Sequence, residues 1–200
     1  MTASVYDSER LAAAYASDRP PVHEHILRSA RLARRAERAL DVGCGAGLST
    51  AALAPLARRV IGLEPIAAML AHRRAIAPQA GFIIGRAERL PFAAASFDLV
   101  TAAGSLNYAD FPSALAEIAR VLTPDGTFLL YDFSTGGCSV TGDELERWFA
   151  SFERRFPWPP GWQPLDVCEL TLADYGLELL DFTAVETRLR WTLTRTFATC

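Results

Sequence analysis

A chain of 200 residues, half of them apolar and 22% charged, is long enough for one domain with a substantial core. Its net charge of −3 argues against a dedicated nucleic-acid binder, which carries a basic face. No apolar run approaches the ~20 residues of a membrane span, and the 4 cysteines, Cys44, Cys138, Cys168 and Cys200, form no C-x-x-C pair that would indicate zinc or a disulfide framework. Met1 to Asp7 has no basic-then-apolar leader, so a cytoplasmic enzyme is the expectation.

The first helix is predicted over Val5 to Ala16, alanine-rich with Leu11 and Tyr15, and is broken by Asp18-Arg19-Pro20-Pro21. A second is predicted from about Val22 to Arg38. Val22, Ile26, Ala30 and Ala33 recur at helical spacing there, and Leu27 widens the stripe. Arg28, Arg31, Arg34, Arg35 and Arg38 cover much of the rest. They read as a solvated face, because no aromatic residues interleave with them as in a nucleic-acid platform. His23 and His25 are two apart, so on a helix they point to different sides and make no metal pair.

The stretch Ala39-Leu40-Asp41-Val42-Gly43-Cys44-Gly45-Ala46-Gly47-Leu48-Ser49-Thr50 organises the chain. An apolar strand, about Arg38 to Val42, runs into three glycines at alternate positions, and a helical pattern from Ala46 to Ala57 follows. Glycine tolerates φ > 0 and lets a ligand lie against the backbone. The turn opens a helix N-terminus whose unpaired N–H groups face that ligand. Cys44 inside the turn reads as a small apolar filler. A second strand, about Val60 to Leu63, ends at Glu64, placed about 20 residues beyond the glycines as a carboxylate for ribose hydroxyls. The third glycine stands at Gly47 rather than at position 48, so the pattern is G-x-G-x-G and not the dinucleotide G-x-G-x-x-G.

Pro65 opens a further helix carrying Ile66, Met69 and Leu70. Phe82 to Gly85 is strand three and leads into Arg86-Ala87-Glu88-Arg89-Leu90-Pro91-Phe92. Ser96 to Ala103 is strand four, apolar as a strand buried on both faces should be. Gly104-Ser105-Leu106-Asn107-Tyr108 follows at its carboxyl end, the edge that holds the ligand in open α/β sheets. Phe111-Pro112-Ser113 starts a helix with Leu115, Ile118, Ala119 and Leu122 as its buried stripe; Thr123-Pro124-Asp125-Gly126 is a turn. Strand five runs from Thr127 to Phe133. A helix beginning near 141–144 carries Trp148, Phe149 and Phe152, and Phe156 to Trp162 is an aromatic loop. Leu170 to Tyr175 reads as a short helix, and Leu177 to Glu186 and Leu189 to Ala198 as two strands.

With Asp41 just ahead of the glycines, the turn resembles motif I of the class I S-adenosylmethionine (SAM)-dependent methyltransferases. The resemblance continues to about Asp132 through G-x-A-E-x-L-P-F at Gly85–Phe92, F-D-x-V at Phe97–Val100 and A-L-x-E-I-x-R-V-L-x-P-x-G at Ala114–Gly126. These segments are similar to the branch called type 11. The resemblance implies an α/β fold: a three-layer αβα sandwich with a seven-stranded, mostly parallel sheet and a C-terminal antiparallel hairpin. It implies one SAM-binding domain over 1–200, with 1–38 as a helical cap and 141–175 as a substrate-covering insertion. The cofactor is SAM, and the reaction is in-line transfer of methyl to a small acceptor.

The cofactor-binding set implied is Asp41, Gly43, Cys44, Gly45, Glu64, Pro65, Ile66, Met69, Ala87, Glu88, Ala103 and Tyr15. Asp41 suits the methionine ammonium, directly or through water, and Ala87-Glu88 would sit by the adenine. Relatives often carry histidine where Asn107 and Tyr108 stand, a departure that removes one base. Tyr108, His23 and His25 are the catalytic candidates, with Asp132 a further base, and Asn107, Tyr108, Trp158 and Trp162 are candidates for the substrate. A metal, a nucleic acid or a membrane is not expected. Three other readings stay open: a non-catalytic SAM-binding regulatory or assembly protein; an NAD-dependent dehydrogenase, which the glycine spacing and the Ala87-Glu88 segment disfavour; and a nucleic-acid methyltransferase, disfavoured because Gly104-Ser105-Leu106-Asn107-Tyr108 is not the [DNS]-P-P-[YF] motif of DNA amino-methyltransferases.

Overall fold

The computed structural model describes residues 8–17, 19, 21–30, 32–133, 143–155, 157, 161–165 and 171–183. Its framework is a five-stranded parallel sheet in the order β3-β2-β1-β4-β5, built from β1 (Ala36–Val42), β2 (Ala57–Glu64), β3 (Gly81–Ile84), β4 (Phe97–Ala103) and β5 (Leu122–Tyr131). All the pairings are parallel. The chain winds outward from β1 to β3, then starts again on the other side with β4 and β5. The strand order therefore reverses between β1 and β4, the topological switch point at which open α/β sheets take their ligands.

Strand side chains alternate between two cores, as a period of two requires. Leu40, Val42, Val100, Ala102, Phe128 and Leu130 face α5 (Phe111–Val121), which contributes Ala114, Ile118 and Val121. Ala39, Leu99, Leu129 and Tyr131 face the opposite layer, with Leu27 of α2 (Val22–Ser29) and Leu53 at the end of α3 (Leu48–Ala52). The result is the expected α/β/α layering. α5 forms where the sequence predicts it: Asp110 caps it by accepting the Ser113 N–H at 3.2 Å, and proline lies in its first turn. α1 (Glu9–Ser17) packs on a 3-10 turn at Ala67–His72, above the carboxyl edge of β2, with the short α4 (Arg73–Ile76) following; α6 is Asp143–Arg155.

Several boundaries differ from expectation. The helix predicted to Arg38 ends at Ser29, and β1 begins at Ala36 because Ala36 pairs with Ala57 and Arg38 with Arg59. The same pairing ends α3 at Ala52 and makes Ala57 the first residue of β2. β5 includes the turn at Thr123–Gly126 and stops at Tyr131, leaving Asp132 and Phe133 beyond it. Seven strands are not seen among the described residues. Residues 177–183 form no strand, and 184–198, the rest of the predicted hairpin, lie outside the described residues. No described helix is long and apolar enough to cross a membrane.

Candidate ligand site at the carboxyl edge of the sheet

The chain leaves β1 through Gly43, Gly45 and Gly47, with φ of +70°, +54° and +99°, a region costly for any residue with a Cβ. The first two glycines serve different ends. A Cβ on Gly43 would fall inside the Ser105 side chain, so this glycine lets the turn press against the end of β4. Ser105 closes the contact by donating its hydroxyl to Val42 O at 2.6 Å. A Cβ on Gly45 would meet only Met69 Cε, at 3.6 Å. The space over Gly45 is open to a ligand, floored by backbone and walled by the buried Met69.

Two carboxylates stand at neighbouring strand ends. Asp41 is 0% exposed. Its Oδ2 accepts from Ser49 Oγ at 2.6 Å and Thr50 Oγ1 at 2.7 Å, and Oδ1 from Thr101 Oγ1 at 3.0 Å. Burial pushes its pKa up, and the three hydroxyls pull it back. Asp41 thus ties β1 to the start of α3 and to β4. Glu64 is 7% exposed. Its Oε2 accepts Gly45 N–H at 2.9 Å and its Oε1 accepts Ile66 N–H at 3.1 Å. Burial raises its pKa, opposed by those two backbone donors. A carboxylate oxygen has two acceptor positions, so each oxygen of Glu64 keeps one for a ligand hydroxyl. Cys44 is buried between these charges. Burial first, then Asp41 and Glu64, push its thiol far up, so it stays protonated as the predicted filler.

The loop bearing Ala87 and Glu88 is clamped to α5 by a pair that the sequence reading left without a role. Glu117 accepts Leu90 N–H at 2.7 Å, and Arg120 donates to Phe92 O at 2.8 Å and Leu90 O at 3.1 Å while bound to Glu117 at 2.7 Å. Glu88 itself pairs with Arg86 and accepts Asp110 N–H, both at 3.2 Å. Pro65 is exposed, and Ile66, Ala87 and Ala103 are half-buried along the same edge.

The far half of the edge gathers residues from distant parts of the chain. His23 Nδ1 lies 3.0 Å from Tyr131 Oη, and its ring meets Phe133 edge-on at 5.4 Å. Burial, reinforced by the charge of Arg19, lowers the His23 pKa to about 4, so the imidazole is neutral at pH 7. Burial, and Asp41 beyond it, push the Tyr131 hydroxyl up. When Tyr131 donates to Nδ1, the imidazole proton sits on Nε2. His25 is exposed on the same helix and does not join His23. Tyr15 stacks under the Arg19 guanidinium at 4.1 Å. Asn107 is 4% exposed; its Oδ1 is buried with no donor among the described residues, and its backbone O accepts Gln163 N–H at 2.8 Å. That bond brings the loop of half-buried Trp162 beside the turn after β4, where Tyr108 is 37% exposed. Asp132 is exposed, its Oδ1 accepting Phe133 N–H at 2.8 Å. Trp148 stacks on Phe152 with centroids 5.2 Å apart; Trp158 lies outside the described residues. Among the described residues no cluster could hold a metal ion.

The sequence reading missed Tyr131, Arg19, Ser105 and the Glu117–Arg120 clamp. Tyr131 was discoverable from strand alternation, since it shares parity with Leu129 and Leu99 on the α2 face. Nothing local marks Arg19, which reads only as part of a helix breaker.

The geometry matches known proteins over the same region. Residues 40–130 match the family model described as "Methyltransferase domain". The chain is 38% identical over 104 residues to a demethylmenaquinone methyltransferase of Beutenbergia cavernae, covering 52% of this chain and 43% of that protein. The crystal structure of YcgJ from Bacillus subtilis superposes with a TM-score of 0.51 at 32% identity, over 56% of this chain and 50% of that one. A Thermotoga maritima structure described as a SAM-dependent methyltransferase, possibly acting on histamine, superposes with a TM-score of 0.57 over 86% of this chain and 73% of that one. At 20% identity it speaks to the fold alone. The chain spans about half the length, or less, of the relatives described here that share the higher identity.

Proposed function

We propose, from the match of residues 40–130 to the family model described as "Methyltransferase domain", that the chain binds SAM along the carboxyl edge of β2, β1 and β4 and transfers its methyl group to a small molecule. Glu64 carries this reading. It is a buried carboxylate, fixed by Gly45 and Ile66 N–H, with an acceptor position left on each oxygen. That pair of acceptors fits a ribose with two neighbouring hydroxyls. The open backbone over Gly45, the apolar wall of Met69 and Ile66, and the Ala87-Glu88 loop fit an adenosine beside it. Gly43, Cys44 and Ala103 line the passage to β4, and Tyr15 covers it from α1. Asp41 acts at one remove: its oxygens are engaged by three hydroxyls, and it fixes the turn on which the amino-acid end of the cofactor rests.

SAM supplies a methyl group on a sulfonium, whose displacement needs alignment and dryness more than acid–base machinery. The chain supplies both at the β4–β5 end. Tyr108 and Asn107 stand at the turn after β4, and Trp162 is tethered beside them through Gln163. The 141–175 segment covers the acceptor in this reading, with an apolar or aromatic acceptor held against the tryptophans. The name of the Beutenbergia relative, a demethylmenaquinone methyltransferase, accords with a small-molecule acceptor.

The test is a thermal shift with SAM, S-adenosylhomocysteine and NAD in parallel. Either adenosyl ligand at 100 times its Kd stabilises by about 2.7 kcal/mol. A shift with NAD alone, or none with any ligand, overturns the proposal. For the acceptor end, Trp162→Ala is expected to keep SAM affinity within a few fold and to lose turnover on any acceptor found in a metabolite screen. Joint loss of stability and SAM binding, with turnover per folded molecule intact, would make Trp162 a packing residue.

A further inference from the structure

The Ala87-Glu88 loop is suspended between two anchors. At one end Gly85 N–H donates to Glu64 O at 3.2 Å, so the loop hangs from the residue whose carboxylate suits the ribose. At the other end it is gripped by α5. Glu117 Oε2 accepts Leu90 N–H at 2.7 Å, and Arg120 donates to Phe92 O at 2.8 Å and to Leu90 O at 3.1 Å. Arg120 also holds Glu117 bidentately, through Nε at 2.7 Å and Nη2 at 2.8 Å, the arrangement that fixes a guanidinium most firmly. Between the anchors lie a turn, with Arg89 N–H on Arg86 O at 3.2 Å, and the tie from Asp110 N–H to Glu88.

The clamp adds little to folding. The side chains of Glu117 and Arg120 are 21% and 37% exposed, and an ion pair that open to water contributes little stability. Leu90 is seated in the core at 3% exposure, and Phe92 meets Phe97 edge-on at 4.9 Å. What the pair does fix is the loop's backbone: both polar groups of Leu90 and the carbonyl of Phe92. Hydrogen-bond recognition needs its groups held to within about 0.5 Å.

We infer that Glu117 and Arg120 are positioning residues for base recognition, holding Ala87-Glu88 in register with the adenine without touching it. This rests on the SAM reading above. An acceptor on Ala87-Glu88 takes the exocyclic N–H of adenine, which hypoxanthine, with a carbonyl there, does not offer.

Calorimetry on the full chain tests this with S-adenosylhomocysteine and S-inosylhomocysteine, its hypoxanthine counterpart. Wild type is expected to prefer the adenine ligand at least tenfold. Arg120→Met weakens S-adenosylhomocysteine at least tenfold and S-inosylhomocysteine less than threefold, so the preference collapses. Glu117→Ala, which releases both Leu90 N–H and Arg120, gives the same pattern. Arg120→Lys, a point charge without the fork, falls between, and carries the comparison if Arg120→Met does not fold. Urea midpoints monitor folding, and affinities are taken per folded molecule. Equal weakening of both ligands makes the pair structural and overturns the inference. So does S-adenosylhomocysteine affinity unchanged in the variants, or a wild type without base preference. Wild type that binds neither ligand overturns the SAM reading itself, and with it this inference.

Discussion

The two halves of the carboxyl edge are held together differently. On the β1–β2–β3 side most contacts of the cradle are short in sequence: Glu64 to Gly45 spans 19 residues, Asp41 to Ser49 spans 8, and Glu64 to Ile66 spans 2, with Asp41 to Thr101, at 60, the tie to β4. On the β4–β5 side they are long: Ser105 to Val42 spans 63 residues and His23 to Tyr131 spans 108. The first half presents buried carboxylates and bare backbone. The second presents aromatic rings, a neutral imidazole and, among the described residues, a guanidinium stacked on Tyr15 without a carboxylate partner and an amide oxygen without a donor. The cofactor half is thus preorganised by one βαβ unit, and the acceptor half is assembled from whatever segments the rest of the chain contributes. Its residues can change without disturbing the nucleoside cradle.

The sharpest way to break this division is at the two glycines of one turn. Gly43→Ala forces a Cβ into Ser105 on a backbone at φ +70°, joining overpacking to a left-handed penalty. A loss of about 3 kcal/mol or more in stability is expected. Gly45→Ala carries the backbone penalty, about 1 kcal/mol, with Met69 Cε no nearer than 3.6 Å. It should fold and bind S-adenosylhomocysteine at least tenfold more weakly. Urea midpoints and calorimetry read the two effects. If Gly43→Ala unfolds at the wild-type midpoint, the turn does not press on β4.

The neighbouring carboxylates give the next contrast. Asp41→Ala leaves three buried hydroxyls without their acceptor and is expected to cost about 2–4 kcal/mol of stability, with SAM affinity per folded molecule within a few fold. Glu64→Ala removes acceptors for two ribose hydroxyls at roughly 1.5–3 kcal/mol for bonds to a charged group, so SAM binding should fall about ten- to a hundredfold. The reverse pattern, with Asp41→Ala folding normally but failing to bind, would move Asp41 into direct contact with the ligand.

The same division decides what was legible in the sequence. The glycine turn and Glu64 were, because spacing within one βαβ unit is fixed by local geometry. Helix limits were not. The arginines from Arg28 to Arg38 and the alanines among them fit a helical stripe, yet pairing of Ala36–Arg38 with Ala57–Arg59 outweighs that weak preference. The role of Asp41 was legible only by type, since Thr101 lies 60 residues away. His23 was named without its partner for the same reason: Tyr131 reaches it only once β5 stands at the sheet edge and α2 packs on the same face.

That pairing gives the smallest expected effect and tests the acceptor half directly. His23 has a folded pKa of about 4, lowered by burial and by Arg19, against an ordinary value near 6.5. Between these values the unfolded chain binds a proton that the folded chain refuses, so stability falls as pH drops. From pH 7 to pH 5 the loss is at most about 2 kcal/mol, reduced by whatever solvent reaches the ring. Asp41 and Glu64, whose pKa values are raised, act in the opposite sense, because the folded chain takes up their protons first. They are common to both proteins in a comparison of wild type with His23→Gln, which keeps a polar partner for the Tyr131 hydroxyl and cannot titrate. The difference in urea midpoint between the two should therefore shift against wild type as pH falls through 6.5, and level off near pH 4. In Arg19→Gln the loss should be smaller in total and level off at a higher pH, since the folded His23 pKa rises when the neighbouring cation is gone. A difference that stays flat from pH 7.5 to 4.5 would mean that His23 faces water and that α2 does not seal the β5 end.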